Sequence, residues 1–134
     1  MALITSNASG NWATGATWVG GTKPANGDSV TIAAGHIILM DEDQSGFADG
    51  IQTLTISGHA TTPAKLVFKD GTSGYLKMKT GYNIVGTNLT ERGRILANSD
   101  GVWGNTGVLA FANKAVIDLQ GNPKDFLNVW YKQL

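Results

Sequence analysis

The chain contains no cysteine, and its charges cancel. Its 134 residues include ten lysines and arginines and ten aspartates and glutamates, and neither sign clusters along the sequence. Without thiols, neither disulfides nor thiolate metal sites can hold the fold. A protein that binds nucleic acid carries a basic stripe, so we expect no nucleic-acid partner. These shortages exclude disulfide scaffolds, zinc ribbons and nucleic-acid-binding modules.

Long apolar runs are missing too, and we expect no leader. The apolar stretches are far below the roughly 20 residues that a transmembrane helix needs, so we expect no membrane partner. Residues 1–10 have neither the basic nor the apolar region of a secretory signal. If Met1 is the natural start, we expect the protein to stay in the cytoplasm or to assemble there into something larger. An excised domain of a longer protein would remove that expectation.

Glycine is abundant where proline is scarce. Eighteen glycines stand against three prolines, with no collagen-like period, and this fits many tight turns between short strands. The length suffices for one domain with a core. We therefore expect a single β domain over 1–134, with an opening segment and cap at 1–41, stacked short strands at 42–122 and a C-terminal docking segment at 123–134.

Apolar and polar residues alternate over short stretches, which is the pattern of a half-buried strand. The predicted strands cover 30–32, 37–40, 53–56, 65–68, 75–78, 82–85, 94–96, 108–111 and 115–119. Turn signals separate them, and Asp70-Gly71 permits a hairpin. No window shows helical periodicity, and the tail from Pro123 fits a short helix or a strand equally well. The sequence predicts an all-β fold.

Two architectures fit these strands: a short-stranded right-handed β-helix, or solenoid, and a β-sandwich or jelly roll. Residues 54–78 favour the β-helix, because three short aliphatic strands follow one another there, each closed by a turn, as the faces of a stacked coil would be. The repeat is irregular, so periodicity alone leaves the sandwich open.

Residues 9–58 carry a distinctive spacing of tryptophan and glycine. The residues concerned are Trp12, Trp18, Gly20, Gly21, Pro24, Gly27, Asp28, Val30, Ile32, Gly35 and the run Leu39 to Asp41. In this spacing the chain resembles the G8-type module, a glycine-rich β-structure at the start of β-helical surface proteins; similar openings occur in bacteriophage structural proteins and adhesins. The resemblance implies a β-structure that displays or binds, with no chemistry of its own, and structural roles for Trp18, Gly20, Gly21, Gly27, Asp28 and Gly35.

Neither histidines nor carboxylates form a recognisable site. His36 and His59 are separated by a strand and two turns, and a zinc site would want a third ligand at short spacing. Asp41-Glu42-Asp43, with Asp49 nearby, offers oxygen ligands for calcium. The spacing of an EF-hand is absent, however, so we expect a solvated acidic loop and no metal.

Catalytic motifs are also missing. A glycosidase needs two carboxylates across a groove, but the remaining aspartates lie where aspartate is favoured in turns and at strand ends: Asp28, Asp70, Asp100 and Asp118. Neither Gly-x-Ser-x-Gly nor a phosphate-binding loop occurs. We therefore predict that the protein is not an enzyme and holds no cofactor.

Aromatic residues are the remaining candidates for binding. They could form a platform for sugar rings or fill the core, and they comprise Trp12, Trp18, Tyr75, Tyr82, Trp103, Trp130 and Tyr131. We expect Trp18 to cap the open end of the core. Trp103 is predicted to contact a partner from a flexible loop. Trp130 and Tyr131 lie in an apolar terminus that is expected to dock on the body or on a neighbouring subunit.

Together these features predict a non-enzymatic structural component of a bacteriophage virion, either a head-decoration or a tail or fibre protein. The expected partners are other virion proteins and further copies of the chain, because unpaired sheet edges favour association. The alternative is a carbohydrate-binding or adhesive module of a larger surface protein, with a glycan as its ligand. A β-helical glycan-active enzyme is the third hypothesis.

Overall fold

Short β-strands make up almost all the regular structure of the described residues. The computed structural model describes residues 2–68, 74–80, 84–87, 92–97, 102–103, 108–110, 116–118, 126–127 and 129–133. Its strands are β1 Leu3–Thr5, β2 Gly10–Asn11, β3 Ser29–Ile32, β4 Ile37–Leu39, β5 Leu54–Ile56, β6 Lys65–Phe68, β7 Tyr75–Lys77, β8 Ile84–Gly86, β9 Gly93–Ala97, β10 Val102–Trp103, β11 Val108–Ala110, β12 Val116–Asp118, β13 Phe126–Leu127 and β14 Val129–Gln133. One 3-10 turn, Gly15–Thr17, interrupts them. The fold is all-β.

The strands form three sheets, and most neighbours are parallel. The first sheet has the order β1-β3-β5-β8-β13 and the second has β2-β4-β6-β9-β14. Every pair in these two sheets is parallel. The third sheet, β10-β11-β12-β7, combines two antiparallel pairs with one parallel pair. A β-sandwich or jelly roll would instead be antiparallel throughout.

The in-register stacking of the strands determines where the apolar core lies. Because side chains alternate between the two faces of a strand, every second residue points inward. β3 and β6 have this alternation of half-buried and buried residues. Equivalent positions of successive strands then form fully buried columns, which are Val30–Leu54–Ile84 and Ile38–Leu66–Ile95. The alternation seen in the sequence therefore corresponds to a core that runs through the stacked strands.

Each predicted strand overlaps an observed one, but two local predictions, the hairpin at Asp70-Gly71 and the loop around Trp103, are wrong. Strands β1 and β2, which are short and pair with β3 and β4, were not predicted. A hairpin at Asp70-Gly71 is excluded, because the flanking strands β6 and β7 belong to different sheets. Trp103 lies in strand β10, paired with β11, and not in a loop. The tail after Pro123 fitted a helix or a strand equally well, and its described residues contain strands β13 and β14 and no helix.

Candidate functional site: the N-terminal cap

Two tryptophans pack against each other within the apolar core. Trp12 and Trp18 are 0% and 1% exposed, and both belong to the main apolar cluster. Their ring centroids lie 5.1 Å apart at an interplanar angle of 71°, the edge-to-face arrangement that aromatic quadrupoles favour. The indole Nε1 of Trp18 donates to the backbone oxygen of Trp12 at 2.8 Å. Rings this deeply buried present no face on which a sugar could stack.

The segment 17–19 covers part of the outer edge of the first sheet. Ser6 and Trp18 form an antiparallel bridge. The backbone N–H of Asn7 donates to the oxygen of Thr17 at 2.7 Å, and that of Val19 donates to the oxygen of Thr5 at 2.9 Å. These bonds satisfy edge groups that would otherwise offer a template for another strand. We call residues 12–21, which carry both tryptophans and this edge-covering segment, the cap.

Glycine sets the turns in and after the cap. Positive φ angles of 74° to 88° occur at Gly20, Gly21, Gly27 and Gly35. A side chain with a Cβ is strained in this conformation, so glycine is the residue that the turns require. At Gly35 the turn joins β3 to β4, as the sequence predicted.

Asp28 ties the start of the chain to the turn after the cap. One carboxylate oxygen accepts the N–H of Ala2 and the other accepts the N–H of Ala25, both at 2.9 Å. Asp28 is therefore a local backbone acceptor, which is the role that aspartate commonly takes in turns.

Within the acidic cluster, Glu42 is not solvated as we expected, whereas Asp43 and Asp49 are exposed. Glu42 is 8% exposed and forms an ion pair with Lys23 from the segment that follows the cap. Its other oxygen accepts a bond of 3.2 Å from the Nε2 of Gln44, which is fully buried. Gln44 in turn accepts the N–H of Lys77 at 3.1 Å. The prediction failed because the sequence does not show that Lys23 folds back over Glu42.

The two flanking carboxylates have backbone partners. Asp41 accepts the N–H of Ala13 at 2.9 Å, which links it to the cap. Asp43 accepts the N–H of Ser45 at 2.9 Å. The hydrogen bonds from the Ser45 side chain and then from its backbone lower the pKa of Asp43 below the ordinary 3.8, because they favour the charged form.

A serine and a histidine meet under the Gly35 turn. The Ser6 hydroxyl oxygen lies 2.7 Å from Nδ1 of His36 and accepts the N–H of Ala33 at 2.8 Å. A hydroxyl beside an imidazole can be an activated nucleophile. Ser6 is only 3% exposed, however, and its oxygen is already bound to the backbone. The pair therefore fastens the turn to β1, and His59 makes its own bonds with Thr61 and Thr62 elsewhere.

The three aromatic residues predicted to contact a partner lie in strands. Trp103 pairs with Leu109 in the third sheet. Trp130 and Tyr131 occupy consecutive positions of β14, opposite Arg94 and Ile95. Their side chains lie outside what the structure describes, as do all atoms of Tyr82, Asp70 and Asp100.

Sequence reasoning missed three side chains that join distant segments of the chain. Ser6, Lys23 and Gln44 have partners 19 to 33 positions away. No local spacing marks them, because each contact depends on how the strands stack.

The described side chains of this region act as ties between segments. Among the residues that the structure describes, no three His, Asp or Glu side chains gather as a metal site would require. In the same part of the chain, no helix has the length and apolarity to cross a membrane.

No protein-family model, curated protein or solved structure matches the chain.

Proposed function

We propose that the protein is a non-enzymatic structural component of a bacteriophage virion, a head-decoration or tail or fibre protein, that acts as a rigid β-scaffold. One observation carries the proposal: the polar side chains around the cap bind backbone groups of distant segments. Asp28 reaches Ala2, and Asp41 reaches Ala13. Carboxylates that accept backbone N–H groups in this way stabilise the folded domain, and a displayed scaffold needs a stable fold.

The finer architecture that we propose is a right-handed β-helix. In chain order, β3 belongs to the first sheet and β4 to the second; β5, β6 and β7 then occupy the first, second and third sheets, and β8 and β9 return to the first and second. Parallel neighbours separated by about one such round are what a stacked coil produces. The in-register apolar columns support the same reading, as does the resemblance to G8-type modules.

Rigidity would come from the backbone hydrogen bonds between stacked strands and from the apolar columns of the core. The outermost strands of the two parallel sheets at the far end are β13 and β14. Strand edges attract further strands, so we propose that copies of the chain associate and that other virion proteins attach to the assembled body. The site of action would be the virion, assembled in the host cytoplasm.

Fractionation of particles from the organism that encodes the chain tests the function directly. We expect the protein to sediment with intact virions in a density gradient and to remain after a salt wash, which removes weakly held surface proteins. Light scattering of the purified protein should show a defined oligomer. A monomer that binds defined sugars on a glycan array, and is absent from particles, would replace the scaffold by the adhesive module.

A further inference from the structure

Asn26 and Gly27 form the one Asn-Gly pair in the sequence. Asparagine is chemically labile, and glycine after it leaves the next backbone nitrogen unshielded. That nitrogen can attack Cγ of the asparagine side chain: the N–Cγ bond forms, the Cγ–Nδ2 bond breaks, and ammonia leaves. Water then opens the cyclic imide to give aspartate or isoaspartate. Asn26 is exposed to that water.

In the folded protein both reacting groups are engaged in hydrogen bonds. Oδ1 of Asn26 accepts the N–H of Asp49 at 3.0 Å and the N–H of Gly50 at 2.8 Å. The nucleophile itself, the N–H of Gly27, donates to the oxygen of Gly50 at 2.9 Å. For Cγ to reach the Gly27 nitrogen, the side chain must leave residues 49–50 and the Gly27 N–H must be released. Three hydrogen bonds oppose this movement.

We propose that Asn26-Gly27 is a deamidation site that reacts when the turn 25–28 separates from residues 49–50, and that the reaction makes this separation permanent. Nδ2 of Asn26 lies 3.5 Å from a carboxylate oxygen of Asp49. When the product is aspartate, a second carboxylate replaces the amide there, and like charges at such a distance repel. Isoaspartate also lengthens the main chain by one methylene beside Gly27, whose φ is 86°. The turn leads directly into β3, so its loss loosens the contact between β3 and β5.

The proposal concerns the chemistry of one turn and holds whether or not the protein belongs to a virion. Its first test compares the folded wild-type protein with the same protein in concentrated urea, both at mildly alkaline pH, by peptide mapping with mass spectrometry. We expect Asn26 to deamidate at least about tenfold more slowly in the folded protein, because only the opened fraction reacts. Asn7 and Asn11, which precede Ala8 and Trp12, serve as internal controls. Equal rates in the two conditions would overturn the proposal.

A matched pair of variants tests whether opening of the turn 25–28 controls the rate of deamidation. Asp28→Ala removes the acceptor of the Ala25 N–H in the same turn, whereas Asp41→Ala removes an acceptor that holds Ala13 elsewhere. We expect Asp28→Ala to speed deamidation at Asn26 about tenfold and Asp41→Ala to leave it unchanged. Equal rates in the two variants would contradict a local gate. If Asp28→Ala does not fold, the wild-type rate in urea below the unfolding transition decides: it must rise with urea before the global transition begins.

The deamidated protein is used to test whether the turn 25–28 stays separated from residues 49–50 after the reaction. The deamidated protein is separated from the parent by ion exchange, and hydrogen exchange at the Gly27 and Gly50 amides is measured in both. We expect faster exchange at both amides in the product, with β4 and β6 unchanged. Exchange equal to that of the parent would show that the turn closes again, which contradicts the second half of the proposal.

Discussion

The indole nitrogen of Trp18 is bonded to the backbone oxygen of Trp12 at 2.8 Å, while the indole nitrogen of Trp12 is buried and finds no acceptor within the described part of the chain. The two rings touch and are equally hidden, yet one satisfies its polar atom and the other does not. The indole of Trp18 thereby joins the two ends of residues 12–18, whereas the indole of Trp12 contributes only apolar contacts to the core.

We predict that replacing the two tryptophans by phenylalanine has unequal effects. Trp18→Phe leaves the Trp12 carbonyl without its donor and creates a cavity, so we expect it to lower the free energy of unfolding by about 2–3 kcal/mol. Trp12→Phe creates a similar cavity but removes an unpaired buried N–H, so we expect about 1 kcal/mol. Urea unfolding of both variants measures the difference. Equal losses of unfolding free energy would show that the hydrogen bond from Trp18 to the Trp12 carbonyl makes no net contribution to stability.

Lys23 and Glu42 should be coupled. The Lys23 side chain is 49% exposed and that of Glu42 is 8% exposed, so the pair lies between surface and core. We expect Lys23→Ala to cost about 1–2 kcal/mol, because it leaves a mostly buried carboxylate with Gln44 as its remaining side-chain donor. Adding Glu42→Gln should recover part of this loss by removing the charge. A double-mutant cycle by urea unfolding measures the coupling, and strictly additive losses would contradict it.

The Asp43 carboxyl should titrate abnormally because of Ser45. The hydrogen bonds from Ser45 lower the pKa of Asp43, so their stabilising contribution is present above the unfolded value near 3.8 and is lost as the pH falls through the lowered native pKa. Ser45→Ala removes the side-chain bond and should raise the pKa of Asp43 toward 3.8. An NMR titration of the carboxyl carbon measures this. An unchanged midpoint in Ser45→Ala would assign the shift to the backbone bond alone.

Substitution by alanine should affect stability very differently at two of the glycines. A Cβ on Gly93 would collide with the backbone oxygen of Ile56, whereas a Cβ on Gly46 would meet nothing within 4 Å. We expect Gly93→Ala to destabilise by about 2 kcal/mol or more, since neither backbone can move without disturbing its sheet. Gly46→Ala should change stability by less than about 1 kcal/mol. Thermal unfolding of the pair measures both, and similar melting temperatures would contradict the close approach of β9 to Ile56.

Much of the fold could be predicted because its signals are local. The alternation at 30–32 and 65–68 identifies strands, and glycine at position 35 identifies the turn between β3 and β4. Local patterns could not show which strands pair: residues on either side of Asp70-Gly71 look like the arms of a hairpin, yet they enter different sheets. Short strands such as β2 carry no periodic signal at all, because two residues cannot alternate.

The sequence singles out residues in and after the cap by their type, but it does not show the long-range contacts nearby. Trp18 and the glycines around it stand out by type and spacing, and their burial and positive φ angles agree with structural roles. Glu42 was placed in water, because nothing near it in sequence indicates the lysine that covers it.

The sequence by itself determined that this chain forms short strands and glycine turns around one apolar core, since alternation and backbone freedom act over a few residues. Only the tertiary structure decided that the strands stack mainly in parallel and that Trp18 bonds to Trp12. It also decided that Asn26 clasps residues 49–50. Those contacts join positions up to tens of residues apart, and their geometry exists only once the strands are aligned in register.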